Sequence, residues 1–179
     1  MMEAADALVQ LVAEHKIRAR DVVKVVARVS ESGARTVNNR TMPDVNIQHI
    51  LSVILLDGRL TFAAAHDAQR MKEKELLEVK EKIQLIGDPD FERAGTNFQG
   101  IVEVVLKDGN TVRKHVIKCR GRPDNPMTPD EVEKKAAPLM EPVLGDQQTA
   151  RVIETVRGLE TLGNIRALTR LLLSDRAAS

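Results

Sequence analysis

"IVEVVLKDGNTVRKHVIKC", residues 101–119, decides the fold class, because two runs of alternating apolar and polar side chains flank Asp108, Gly109 and Asn110. Alternation at a period of two turns one face of each run toward a core, and Gly and Asn tolerate the positive φ of tight hairpin turns. The stretch predicts an antiparallel hairpin. Outward from it, "IQLIGD" (83–88) reads as a short apolar strand ended by Gly87, Asp88 and Pro89, and "VVKVVARVS" (22–30) alternates in the same way. Together these runs predict one small antiparallel sheet of about four strands.

Helical spacing fills the remainder. Ala4, Leu8, Leu11 and Val12 mark a helix from the second residue onward, and segments 46–56 and 63–80 read as helices between the first two strands. In "NPMTPDEVEKKA", Thr128 is an N-cap, Pro129 fits the first helical position and Glu131 completes a capping box. Pro138 is expected to kink or stop that helix about two turns later. Ile153, Val156, Leu159 and Leu162, then Ile165, Leu168, Leu171 and Leu172, predict two amphipathic helices separated near Gly163 and Asn164, before a frayed "SDRAAS" end. The class is α+β: one domain over 1–145 and a helical C-terminal extension over 146–179.

Composition excludes several functions. The chain has 179 residues, with 27 Lys plus Arg against 26 Asp plus Glu, so no net field draws it to nucleic acid or to an anionic membrane. Three Phe and no Trp or Tyr leave no stacking platform for single strands. Cys119, the single cysteine, has no internal disulfide partner, and no Cys/His spacing suits zinc. The expectation is a soluble, cytoplasmic protein with no metal and no cofactor. No GxSxG, P-loop, dinucleotide fingerprint or HExxH occurs.

The candidate chemistry lies in "PDVNIQHILSVILLDGRLTF" (43–62), where an almost wholly apolar helix bunches Asn46, Gln48, His49 and Ser52 at its start. Asn46 or Asp44 can cap that start, where free N–H groups and the positive dipole end suit a carboxylate. His49, one turn in, can exchange a proton with a group held there. The alternative is purely structural: Asn46 caps, His49 satisfies a buried carbonyl, and nothing binds. Of the other histidines, His15 ends the first helix, His115 lies on a sheet face, and His66, with Asp67 beside it and Arg70 one turn on, suits a surface ion pair or a cleft.

"NNRTMPDVNIQHILSVILLDGRLTFAAAHDAQRM", "IQLIGDP", "VEVVLKDGNTV" and "GRPDNPMTPDEVEKKAAPLMEPVLG" resemble, in order and spacing, the C-terminal half of the MmgE/PrpD family, over about residues 4–173. That family includes 2-methylcitrate dehydratase, cis-aconitate decarboxylase and iminodisuccinate epimerase. The resemblance implies that residues 1–145 are an α+β lid closing on a large helical domain, and that 146–173 return to that domain. The family's Lys-Pro-Tyr-like segment, and the acidic residue and His of its helical domain, have no counterpart before Met1, so the chain is expected to be incomplete as an enzyme without that domain or subunit. Where the family's lid helix commonly begins Ser-x-Pro-Tyr, this sequence reads Asn46, Ile47, Gln48, His49.

The resemblance therefore implies a lyase lid acting without a metal on a small polycarboxylate, with His49 as acid or base and Asn46 and Gln48 holding a carboxylate. His49 is then expected to be partly open to solvent. The apolar faces of the first helix and of residues 150–172 would meet the helical domain, and alone would favour a homo-oligomer. The competing expectation is a non-catalytic module that binds a helical partner or its own copy.

Overall fold

The computed structural model describes residues 1–93 and 98–173. The chain divides into two compact units, Met1–Asn125 and Pro126–Ser179. The "SDRAAS" end lies outside the described residues.

In the first unit the chain begins with α1 (Met2–His15), continues into β1 (Val22–Ser30) and crosses over through α2 (Glu31–Val37), α3 (Ile47–Asp57), α4 (Phe62–Ala65) and α5 (Lys74–Lys80). It returns as β2 (Ile83–Asp88), turns through α6 (Pro89–Arg93) and closes with the hairpin β3 (Gly100–Leu106) and β4 (Thr111–Val116). The sheet order is β2-β1-β3-β4. Gly109 supplies the positive φ of the hairpin turn, at 86°, and the Asp108 carboxylate accepts from the Asn110 N–H at 2.9 Å.

One expectation about the sheet is corrected. β3 runs antiparallel to both β1 and β4, but β2 lies parallel to β1, with Val25 opposite Ile83 and Val29 opposite Gly87. A parallel neighbour needs a long crossover, and residues 31–82 supply one built of helices. The sheet is mixed and the class remains α+β.

α1 and α3 form the other layer of the core. Ala4, Ala7, Leu8 and Leu11 of α1 are buried in contact with β3, β4 and α3, so this apolar face, expected to await another domain, is covered within its own unit. Gly100 makes the close approach possible: a Cβ there would lie 2.6 Å from the Ala4 nitrogen. Every residue from Ile47 to Leu55 is buried, as the all-round apolar sequence of α3 predicts. Burying Leu51 and Ile54 contributes roughly 1.5–3 kcal/mol each. Gly58 ends α3 at φ 70°, its N–H donating to the Ile54 carbonyl at 2.9 Å.

The single helix expected over 63–80 is broken. Asp67 Oδ1 accepts from the Gln69 and Arg70 N–H groups at 2.9 and 3.0 Å, an alternative to the helical ladder that stops α4 after one turn. A short 3-10 turn at Arg70–Lys72 leads into α5.

The second unit contains α7 (Pro129–Leu144), α8 (Asp146–Arg157) and α9 (Arg166–Leu171). The capping box at Thr128 and Glu131 is present, but α7 runs on through both Pro138 and Pro142. Each interior proline removes a backbone hydrogen bond. The helix is held by its cap and by α8, where Arg157 donates to Glu133 and, at 2.9 Å, to Asp130. Among the described residues no helix is long and apolar enough to cross a membrane.

Candidate functional site

The first turn of α3 is organised by its own cap. Asn46 adopts extended φ/ψ, and its Oδ1 accepts the His49 N–H at 3.0 Å, satisfying one of the donors that a helix start leaves over. The other end of the same amide donates to the Arg40 carbonyl at 2.6 Å. Gln48 donates to Asn38 Oδ1 at 2.6 Å and accepts from the Asn39 N–H at 2.9 Å, while the Ser52 hydroxyl donates to the Gln48 carbonyl at 2.7 Å. These amides fasten the loop between α2 and α3 to the start of α3. Asn39, at φ 46°, is held in the left-handed region by that fastening.

His49 differs from its neighbours. It is 0 % exposed, which overturns the expectation of partial solvent access. α3 packs against α1 and α5, and the segment 58–73 lays the Ala64 carbonyl 3.3 Å from His49 Nε2. A carbonyl only accepts, so Nε2 carries the hydrogen and Nδ1 is left as a bare lone pair. Among the described residues no group partners that Nδ1. An unmet buried acceptor costs about 1–3 kcal/mol. Burial lowers the pKa of His49 below its ordinary 6.5, and the bond to Ala64 opposes this only in part; Arg70 and Lys80 lower it further, Asp67 raises it.

Asp57, which sequence reasoning did not select, and Arg70, expected there only beside His66, close this segment at its root. The Arg70 guanidinium meets the Asp57 carboxylate as a two-point fork at 2.5 and 2.6 Å. Those hydrogen bonds hold the Asp57 pKa below its ordinary value and raise that of Arg70. Thirteen residues separate the partners, so no helical spacing betrays the pair.

The remaining histidines take structural positions. His66 Nδ1–H donates to the Phe62 carbonyl at 2.8 Å, its ring lies 4.0 Å from the Phe62 ring, and Asp44 is 3.8 Å from Nε2. His115 Nε2–H donates to Gln99 Oε1 at 2.7 Å and its ring is stacked near Phe91. His15 closes α1. Cys119 is free and buried, 3.5 Å from Glu3 Oε1; burial first and the Glu3 charge second push its thiol pKa up, so it is no ready nucleophile. Among the described residues no group of three or more His, Cys, Asp or Glu could hold a metal ion.

A mixed four-stranded sheet under a buried helix that carries an unpaired imidazole defines an α+β domain. Residues 1–161 match the sequence model of the MmgE/PrpD C-terminal domain, and the chain belongs to that family. Comparison with curated proteins gives no match.

Proposed function

We propose that this chain is the lid of an MmgE/PrpD-type lyase, completed by a helical domain or subunit, and that it acts on a small polycarboxylate by moving a proton next to a carboxylate. His49 is the acid or base. The unpaired Nδ1 at the start of α3 carries this reading: a neutral imidazole with a free lone pair can take a proton from carbon, and then return it. Asn46 and Gln48, whose amides are engaged with Arg40, Asn38 and Asn39, position that imidazole and the helix N-terminus. A carboxylate near the N-terminus of α3 would be favoured by the helix dipole, and would stabilise the imidazolium once formed.

A second reading has its own support. Val156, Leu159, Ile165 and Leu172 are exposed in the second unit, and α7 and α8 line an apolar groove of about 490 Å³ with Val132, Met140 and Val152. A non-catalytic module that docks on a helical partner, or on its own copy, would need such a surface. One experiment separates the two. The chain is mixed with the helical domain of an MmgE/PrpD protein and assayed for dehydration of methylcitrate and decarboxylation of cis-aconitate. The lyase reading predicts turnover only in the mixture, reduced about 100-fold or more by His49→Ala. Complex formation without turnover, or turnover unaffected by His49→Ala, contradicts it.

A further inference from the structure

The segment that lays the Ala64 carbonyl on His49 Nε2 is itself barely buried. From Gly58 to Gln69 only Ala65 is buried and Ala64 is intermediate, while Phe62, at 60 % exposure, turns its ring outward onto His66. A segment with so little apolar surface removed from water has little to hold it down except its polar ties. Those are few and local: the Ala64 carbonyl on His49, the Arg70–Asp57 fork, and the approach of His66 to Asp44. Both ends suit a hinge. Gly58 has a positive φ and open space around it, and at the other end the 3-10 turn at Arg70–Lys72 precedes α5, which is anchored by buried Leu76 and Val79. Among the described residues His49 Nδ1 is buried without a partner, an unmet acceptor that a ligand reaching the ring could satisfy.

We propose that residues 58–73 are a strap that lifts from α3 to admit a carboxylate-bearing ligand to His49, and that the Arg70–Asp57 fork is the latch that keeps it shut. Opening breaks the Ala64–His49 hydrogen bond and leaves α3, whose burial rests on α1 and α5, in place. The latch sits outside the proton-handling step. Asp57 and Arg70 are positioning residues, acting through the strap.

The strap rests on the reading that His49 meets the ligand, and its test uses no substrate. Amide exchange of the unaltered chain is compared at Ala65 and His66, whose N–H groups bond within the strap, and at Val53 and Ile54 in α3. Diethyl pyrocarbonate modification of His49 is followed in parallel by mass spectrometry. The strap predicts that Ala65 and His66 exchange at least 100-fold faster than Val53 and Ile54. It also predicts that His49 is modified faster than α3 opens, and that Asp57→Asn raises His49 modification about tenfold relative to α3 exchange. If His49 modification keeps step with α3 exchange in the unaltered chain, uncovering requires global unfolding and the strap is overturned. If the strap opens but His49→Ala leaves turnover of the reconstituted enzyme intact, the functional reading fails instead.

Discussion

His49 and Ala64 face each other across 3.3 Å, the imidazole Nε2–H donating to the carbonyl of a one-turn helix fifteen residues later in the chain. In the closed position that bond sets the tautomer and leaves Nδ1 as the unprotonated edge of the ring.

The depressed pKa of His49 has a signed consequence for stability. The unfolded chain takes up a proton near pH 6.5 and the folded chain only below that, so between the two pKa values the unfolded state binds more protons. The contribution is fully present above pH 6.5 and is lost as pH falls toward the folded pKa. Thermal midpoints measured from pH 7.5 to 5 are expected to decline, and His49→Gln, which cannot charge, should flatten that part of the profile. A slope unchanged by the substitution would assign the decline to other groups.

The latch has a modest worth. The Asp57 and Arg70 side chains are 31 % and 19 % exposed, so solvent weakens the pair, while fork geometry favours it. A double-mutant cycle with Asp57→Asn and Arg70→Met is expected to return a coupling of about 1 kcal/mol from urea titrations. Zero coupling would mean that the two side chains meet without holding anything.

Gly100 tests the packing of α1 on the sheet. Its Cβ position is filled by the backbone of Glu3 and Ala4, which cannot rotate aside as a side chain could. Gly100→Ala is expected to destabilise by about 1–3 kcal/mol, as overpacking typically does. Gly109→Ala would also destabilise, but through its positive φ, since nothing stands near its Cβ position. An unchanged midpoint for Gly100→Ala would show that α1 moves freely.

Much of the architecture was legible in the chain. The hairpin followed from Asp108-Gly109-Asn110, the burial of α3 from its lack of a polar side, and the capping box from Thr128 and Glu131. The parallel pairing of β2 was not, because alternation reports which face is buried and says nothing of a neighbour's direction. The break at Asp67 escaped because good helix formers surround it, and a single carboxylate capping the N–H groups two and three residues on overrides their summed propensity. At the site, residue types at the start of α3 were visible, but their partners were not. Arg40, Asn38 and Ala64 engage them from loops and from a short helix, with no periodic signature. The closed strap over His49 is the clearest case: nothing local to residues 46–56 says what lies above them.

The proposed role of His49 as proton acceptor predicts, in the closed chain, a neutral ring that carries its hydrogen on Nε2 and offers a bare Nδ1. Long-range proton–nitrogen correlation spectra of the chain labelled with nitrogen-15 at histidine read this directly, residue by residue against the His49→Gln variant. The expected spectrum is that of the Nε2–H tautomer at pH 7, with Nδ1 showing the shift of an unprotonated, weakly bonded nitrogen and a titration midpoint below 6.5. An Nδ1–H tautomer, or a midpoint at or above 6.5, would contradict the assignment of Nδ1 as the proton acceptor.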